Sequence, residues 1–263
     1  MSQDSPILDF AAVDGVAFAA ERGRLDRIPE ALILRASRLG PLLELTQLAM
    51  QDRLPATPHW LDTGTFGSLR QAVIERRTSW RDVSGSSAMM ALQNDTISNV
   101  WTNFAMGAKR AAVQAGFDGD FAGQMVAALR ELEDNIREHA GTLAGALLCY
   151  HAQPGRFEFT VSDQGCGILA TLRRNVDLAD LPDDGAALHA ALQDGVSRFG
   201  TNTGRGHGYR PLFTGLVNRR AALRFRSGSG GLTMDGITHG LPAAQLGQKP
   251  RMTGFFVSVC CTL

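Results

Sequence analysis

Neither sign of charge is in excess in this chain of 263 residues, where 26 lysines and arginines balance 26 aspartates and glutamates. No global positive field therefore recruits nucleic acid or an anionic membrane. No apolar run approaches the roughly 18 residues that cross a bilayer. The opening MSQDSPILDFAAVDG lacks the basic lead-in of a secretory leader and carries acids within its apolar part. Cysteine is scarce: Cys149, Cys166, Cys260 and Cys261 have no paired metal-ligand spacing, and the adjacent last two suit strand filler better than a disulfide. These absences are read as a soluble protein of the reducing cytoplasm. What the chain does have is apolar mass, 44% of its residues, enough for a substantial core and, at this length, for two domains.

The first ninety residues carry little chemistry. EALILRAS (30–37) is strand-like, RLGPLLELTQLAMQD has helical spacing, PHWLDT is a short strand, and FGSLRQAVIERR is helical. This pattern predicts a small β-α-β-α unit without a glycine-rich phosphate cradle. It also holds no nucleophile beside a recognisable base, which points to a scaffold or partner-docking role. His59 has no second His or Cys at metal spacing. The serine and glycine cluster in TSWRDVSGSSAMMALQND (78–95) suits a boundary, giving domains 1–91 and 92–263.

Beyond it, TISNVWTNFAMGAKRAAVQA (96–115) reads as a helix stopped by Gly116, and Phe121 to His139 as a second. Within the second, Met125, Leu129, Leu132, Ile136 and Ala140 form an apolar stripe, while Glu131, Asn135 and Glu138 fall about 120° away. Taken alone, that polar face is the ordinary solvated side of a surface helix. Chemically, a carboxylate that orients or deprotonates a nucleophile, with an amide oxygen one turn on, is also a way to hold Mg²⁺ beside a nucleotide phosphate.

Two strands, LAGALLCYHA and RFEFTVSD, flank a Gln153-Pro154-Gly155 turn and deliver Asp163 ahead of Gly165 and Gly167. Alone this is an Asp-Gly turn. A long connection follows, with a short helix expected in DLADLPDDGAALHAALQDG, and a connection of this length is usually functional. TNTGRGHGY then supplies Gly204, Gly206 and Gly208 ahead of a helix whose first turn tolerates Pro211. Glycines there admit backbone N–H groups to a phosphate at a helix N-terminus. AALRFRS, a Gly228 to Gly231 turn, GLTMDGI and TGFFVSVCCTL read as closing strands.

In this order, Glu-x-x-x-Asn on a helix, Asp-x-Gly-x-Gly after a strand and Gly-x-Gly-x-Gly before a helix resemble the asparagine box and two glycine boxes of the GHKL ATPase superfamily. Gyrase B, Hsp-type chaperone ATPases, sensor histidine kinases and anti-sigma-factor serine kinases belong to it. The resemblance covers about residues 95 to 263. It implies an α+β two-layer sandwich of the Bergerat type, an antiparallel sheet with helices on one face, beside the smaller N-terminal α/β domain. It further implies Asn135 as Mg²⁺ ligand, Glu131 as general base, and Asp163 with Gly165 and Gly167 around adenine. Gly204, Arg205, Gly206, His207 and Gly208 would face the phosphates of ATP, with Asn202 and Arg205 nearest the γ-phosphate and the connection before them as a lid. His207 and Tyr209 depart from the small or aliphatic residues common there.

None of the six histidines sits in a phosphoacceptor hairpin, and no transducer domain follows the nucleotide-binding boxes. The spelling ELEDNIREHA is similar to the anti-sigma serine kinases. The expectation is an Mg²⁺-ATP-binding regulatory protein acting as serine/threonine kinase or ATPase on a protein partner, with a homodimer left open. The alternative is a nucleotide-gated binding module with little or no catalysis.

Overall fold

The structure, a computed structural model, describes residues 5–94, 98–192, 221–234 and 245–263. Seven helices run through these: α1 (Phe10–Glu21), α2 (Leu39–Met50), α3 (Gly67–Ile74), α4 (Ser98–Gln114), α5 (Gly119–His139), α6 (Gly167–Leu172) and α7 (Asp184–Ala191). The strands are β1 (Leu34–Arg35), β2 (Leu61–Asp62), β3 (Ser79–Arg81), β4 (Ser87–Ala91), β5 (Leu147–Gln153), β6 (Arg156–Ser162), β7 (Ala222–Met234) and β8 (Gln245–Thr262). β1 and β2 form a parallel pair joined through α2, as the β-α-β pattern predicts. The remaining six make one antiparallel sheet in the order β3-β4-β5-β6-β8-β7. None of the described helices is long and apolar enough to cross a membrane.

The α+β class stands, but three layers replace the expected two. On one face Phe157, Phe159 and Val161 of β6, Leu223 and Phe225 of β7, and Val257 and Val259 of β8 pack under α4 to α7. On the other, α1, α2 and α3 cover Met89, Cys149 and Phe256. The alternation of RFEFTVS reads as apolar-in, polar-out, yet its polar partners Glu158, Thr160 and Ser162 are as buried as the phenylalanines, because α2 lies across them. Alternation reports which side chains share a face and not whether that face meets water.

Polar burial of this kind requires partners. Glu44 of α2, fully buried, accepts from Arg224 Nε and Nη2 at 3.1 and 3.0 Å and from Arg226 Nη1. Asp14 of α1 pairs with Arg224 and accepts from Lys249 Nζ at 2.6 Å. Glu158 Oε2 accepts from Arg38 Nε at 3.0 Å and from the Leu39 N–H that opens α2, at 3.2 Å.

The division expected at residues 91 and 92 is crossed by this sheet. β3 and β4 belong to it, with β4 paired to β5 from Ser87–His151 to Ala91–Leu147, and α2 contacts both β6 and β8. The expected turn over Gly228 to Gly231 is also revised. β7 is one continuous strand there, and its register against β8 slips between Ser227 and Gly230, a bulge permitted by φ +56° at Gly228. α1 was not foreseen: Asp9 caps it by accepting from Ala12 N at 2.8 Å, but Gly15 and its nearly all-apolar residues leave no clear helical stripe.

Glu44→Ala strands two buried guanidiniums and is expected to cost about 3–5 kcal/mol. A lower urea midpoint at unchanged slope would show it. Removing Glu75, whose pair with Arg77 lies in solvent, should leave the midpoint in place.

Candidate functional site

α5 begins with Asp118 capping Phe121 N at 2.8 Å and runs to His139. Its buried residues include Met125, Leu129, Leu132 and Ile136, so the predicted stripe faces the sheet. Glu131 is exposed and Asn135 half-buried one turn later, on the polar side as expected. Between them Glu133 is buried, held by Arg130 at 2.8 Å and Arg137 at 2.5 Å. This ladder was not predicted; it neutralises a buried acid within α5 without using either candidate residue. Arg130 in turn lies 5.1 Å from the Trp101 ring centre on α4.

β6 ends at Ser162, and Asp163 follows on the α5 side of the sheet. Its N–H donates to Phe255 O at 3.1 Å and its Oδ1 accepts from Gly165 N at 2.6 Å, closing an Asx turn. The carboxyl is only 2% exposed. Burial pushes its pKa up from 3.8 to about 6, against the opposing hydrogen bonds from the Gly165 and Phe255 backbone.

Two glycines make the turn sterically feasible. A Cβ on Gly165 would collide with Ala140 O, so the turn lies flush on the end of α5. Gly254 of β8, at φ +76°, lets its backbone pass where a Cβ would strike Asp163 O and the carboxylate. The contact with α5 is hydrogen-bonded: Cys166 N donates to Ala140 O at 3.0 Å, and Thr171 Oγ1 to His139 O at 3.3 Å. The turn is held from β7 as well, since Ser227 Oγ accepts from Ile168 N at 2.9 Å and donates to Gly254 O at 3.1 Å.

The structure thus brings the Asp163 turn onto the C-terminal end of the helix that carries Glu131 and Asn135. Asn135 lies five residues, about 7.5 Å of helix axis, before Ala140. Gly204, Arg205, Gly206, His207, Gly208 and Asn202 lie outside the described residues. Of the connection before them, the stretch to Leu192 forms α6, a short 3₁₀ turn (Val176–Leu178) and α7, the helix expected there. Asp184 at the start of α7 docks on β7 by accepting from Ser229 N at 2.8 Å and Ser229 Oγ at 3.0 Å.

Ser227, Gly254, Gln47 and Gln51 were missed as neighbours of the site. Only Gly254 left a signal, an isolated glycine ahead of an apolar strand, which marks a bulge or a close backbone approach. No three His, Cys, Asp or Glu side chains among the described residues form a metal cluster. A magnesium ion bound through a nucleotide needs only one or two protein ligands, which the Asn135 amide oxygen can supply. No family model matches the chain, and neither a curated protein nor a solved structure does.

The raised pKa of Asp163 sets a pH dependence. Between pH 3.8 and about 6 the folded chain holds a proton that the unfolded chain has released. The stabilisation by the protonated carboxyl is therefore complete below pH 3.8 and is lost as pH rises through 6. Relative to Asp163→Asn, the wild type should lose roughly 3 kcal/mol of unfolding free energy between pH 4 and pH 7. Chemical denaturation of both proteins across that range measures it; a difference that does not vary with pH excludes the assignment.

Proposed function

We propose that the chain is a cytoplasmic Mg²⁺-ATP-binding regulatory protein that phosphorylates a serine or threonine of a protein partner. The observation that carries this reading is the buried acceptor Asp163, at a strand end, in a turn hydrogen-bonded to the end of the helix bearing Glu131 and Asn135. A buried carboxylate facing the purine 6-position selects adenine, whose 6-amine donates a hydrogen bond, over guanine, whose 6-carbonyl is itself an acceptor. The close approach of Gly165 and Gly254 leaves backbone, with no side chain, around that acceptor.

Asn135 holds the metal through its amide oxygen, and the glycines 204, 206 and 208 offer backbone N–H groups to phosphate. When bound, Mg²⁺-ATP supplies the γ-phosphoryl group and the cation that neutralises its charge. Glu131 takes the proton of the partner hydroxyl as that oxygen bonds to phosphorus and the bond to the ADP oxygen breaks. One observation favours the second reading, a nucleotide-gated binding module. Glu131 is exposed, and no described residue hydrogen-bonds its carboxylate to aim it.

Titration with ATP and ADP, with and without Mg²⁺, reads binding as a thermal shift; ligand at a hundredfold over Kd adds about 2.7 kcal/mol. No stabilisation by ATP at millimolar concentration would overturn the proposal. Asn135→Ala should abolish most of the Mg²⁺ dependence, and unchanged dependence would place the metal elsewhere. Glu131→Gln should keep ATP affinity while cutting phosphate transfer roughly 10²-fold, since a general base contributes mainly in the transition state. Undiminished turnover in that variant would remove Glu131 from the chemistry. Below pH 6 ATP affinity should fall as Asp163 takes up a proton and ceases to be a pure acceptor.

A further inference from the structure

α2 ends directly beneath the Asp163 turn, on the opposite face of the sheet. Gln47, 1% exposed, donates from Nε2 to Ser162 Oγ at 2.8 Å, and its Oε1 accepts from Gln164 Nε2 at 3.4 Å. Ser162 and Gln164 are the residues on either side of Asp163, so by strand alternation their side chains point to α2 while the Asp163 carboxyl points to α5. One turn further along, Gln51 grips a single peptide unit of β8. Its Nε2 donates to Thr253 O at 3.1 Å and its Oε1 accepts from Thr253 N at 2.7 Å. Thr253 is followed by Gly254, the glycine whose backbone closes against Asp163.

These two glutamines therefore hold both chain segments that meet at the acceptor, Ser162 to Gln164 and Thr253 to Gly254. Every side-chain bond these two amides make falls within one residue of Asp163 or on the residue before Gly254. We propose that α2 is the second floor of the nucleotide site, and that Gln47 and Gln51 are positioning residues that set the place of the Asp163 acceptor. The inference rests on the adenine role proposed for Asp163. It makes the N-terminal segment part of the binding machinery and gives a partner that shifts α2 a direct mechanical route to nucleotide affinity.

The test is Gln47→Met with Gln51→Met, which keeps volume and removes four hydrogen bonds, and Gln51→Met alone as the milder variant at the half-buried end of α2. Gln71→Met, at an exposed position of α3, serves as control. Loss of the grip is expected to raise the Kd for Mg²⁺-ATP about tenfold and to narrow the preference for ATP over GTP by a similar factor. It should also let water reach the Asp163 carboxyl, whose pKa is governed by burial and by the Gly165 and Phe255 N–H groups, so that the pH 4–7 stability difference from Asp163→Asn shrinks. A lower melting temperature with wild-type ATP/GTP preference and wild-type pH profile overturns the positioning role. If the wild type binds neither nucleotide, the proposed function fails, and the pH profile still decides: a flattened profile upholds the positioning of Asp163 and an unchanged one refutes it.

Discussion

The arrangement depends on one carboxylate shared between two guanidiniums. Glu44 sits on α2, and the arginines that meet it, Arg224 and Arg226, are alternate residues of β7 on the same face of the sheet. Burial by itself would lower the pKa of Arg224, yet the Glu44 and Asp14 carboxylates raise it above its ordinary value. The gain over an apolar contact of equal volume is small, because desolvating three charges offsets most of their attraction. Its effect is on geometry. Apolar helices slide on apolar sheets at little cost, whereas a carboxylate that must meet two fixed guanidiniums has one docking position. That position lays Gln47 and Gln51 under the Asp163 turn, with Glu158 of β6 accepting the first N–H of α2.

The site is assembled from both sides of the sheet. From above, α5 carries Glu131 and Asn135 and receives the turn at Ala140; from below, α2 fixes the residues that flank Asp163. The sheet between them holds the buried Asp163 at a strand terminus, while Glu131 and Asn135 stand on the half-exposed flank of a helix. In the proposed function, selectivity and chemistry are thus divided between a buried group and an accessible one.

Most helices and strands were legible because their periodicities were strong: the stripe Met125, Leu129, Leu132, Ile136 names the buried face of α5, and Pro154-Gly155 marks the hairpin between β5 and β6. The helix carrying Glu131 and Asn135 and the strand ending ahead of Asp163 were legible by spacing, and the structure places the Asp163 turn against α5. The third layer was not legible. Glu158, Thr160, Ser162, Arg224 and Arg226 have the signature of a solvated sheet face, and only the three-dimensional position of α2 turns them into a buried layer. Glu133 was hidden for the same reason, an acid on a charged helix that becomes interior because two arginines one turn away cover it. Gln47 and Gln51 read as the polar side of an ordinary helix, since contacts 115 and 202 residues away leave no local trace.

The sequence separation between Glu44 and its arginines also bears on how the chain is made. The two are 180 residues apart, so during synthesis the N-terminal helices emerge with an unneutralised acid on the face they must later bury. At about 5–20 residues per second, roughly ten to forty seconds pass before Arg224 follows, and β8 is later still. Until then α2 can meet α3 and β6, but neither guanidinium and not β8. The docking of α2 on β7 and β8 therefore comes after translation of these last strands, as a long-range closure, and such closures are slow. A ribosome stalled between residues 192 and 222 would hold a nascent chain with every described helix made and the last two strands of the six-stranded sheet still missing.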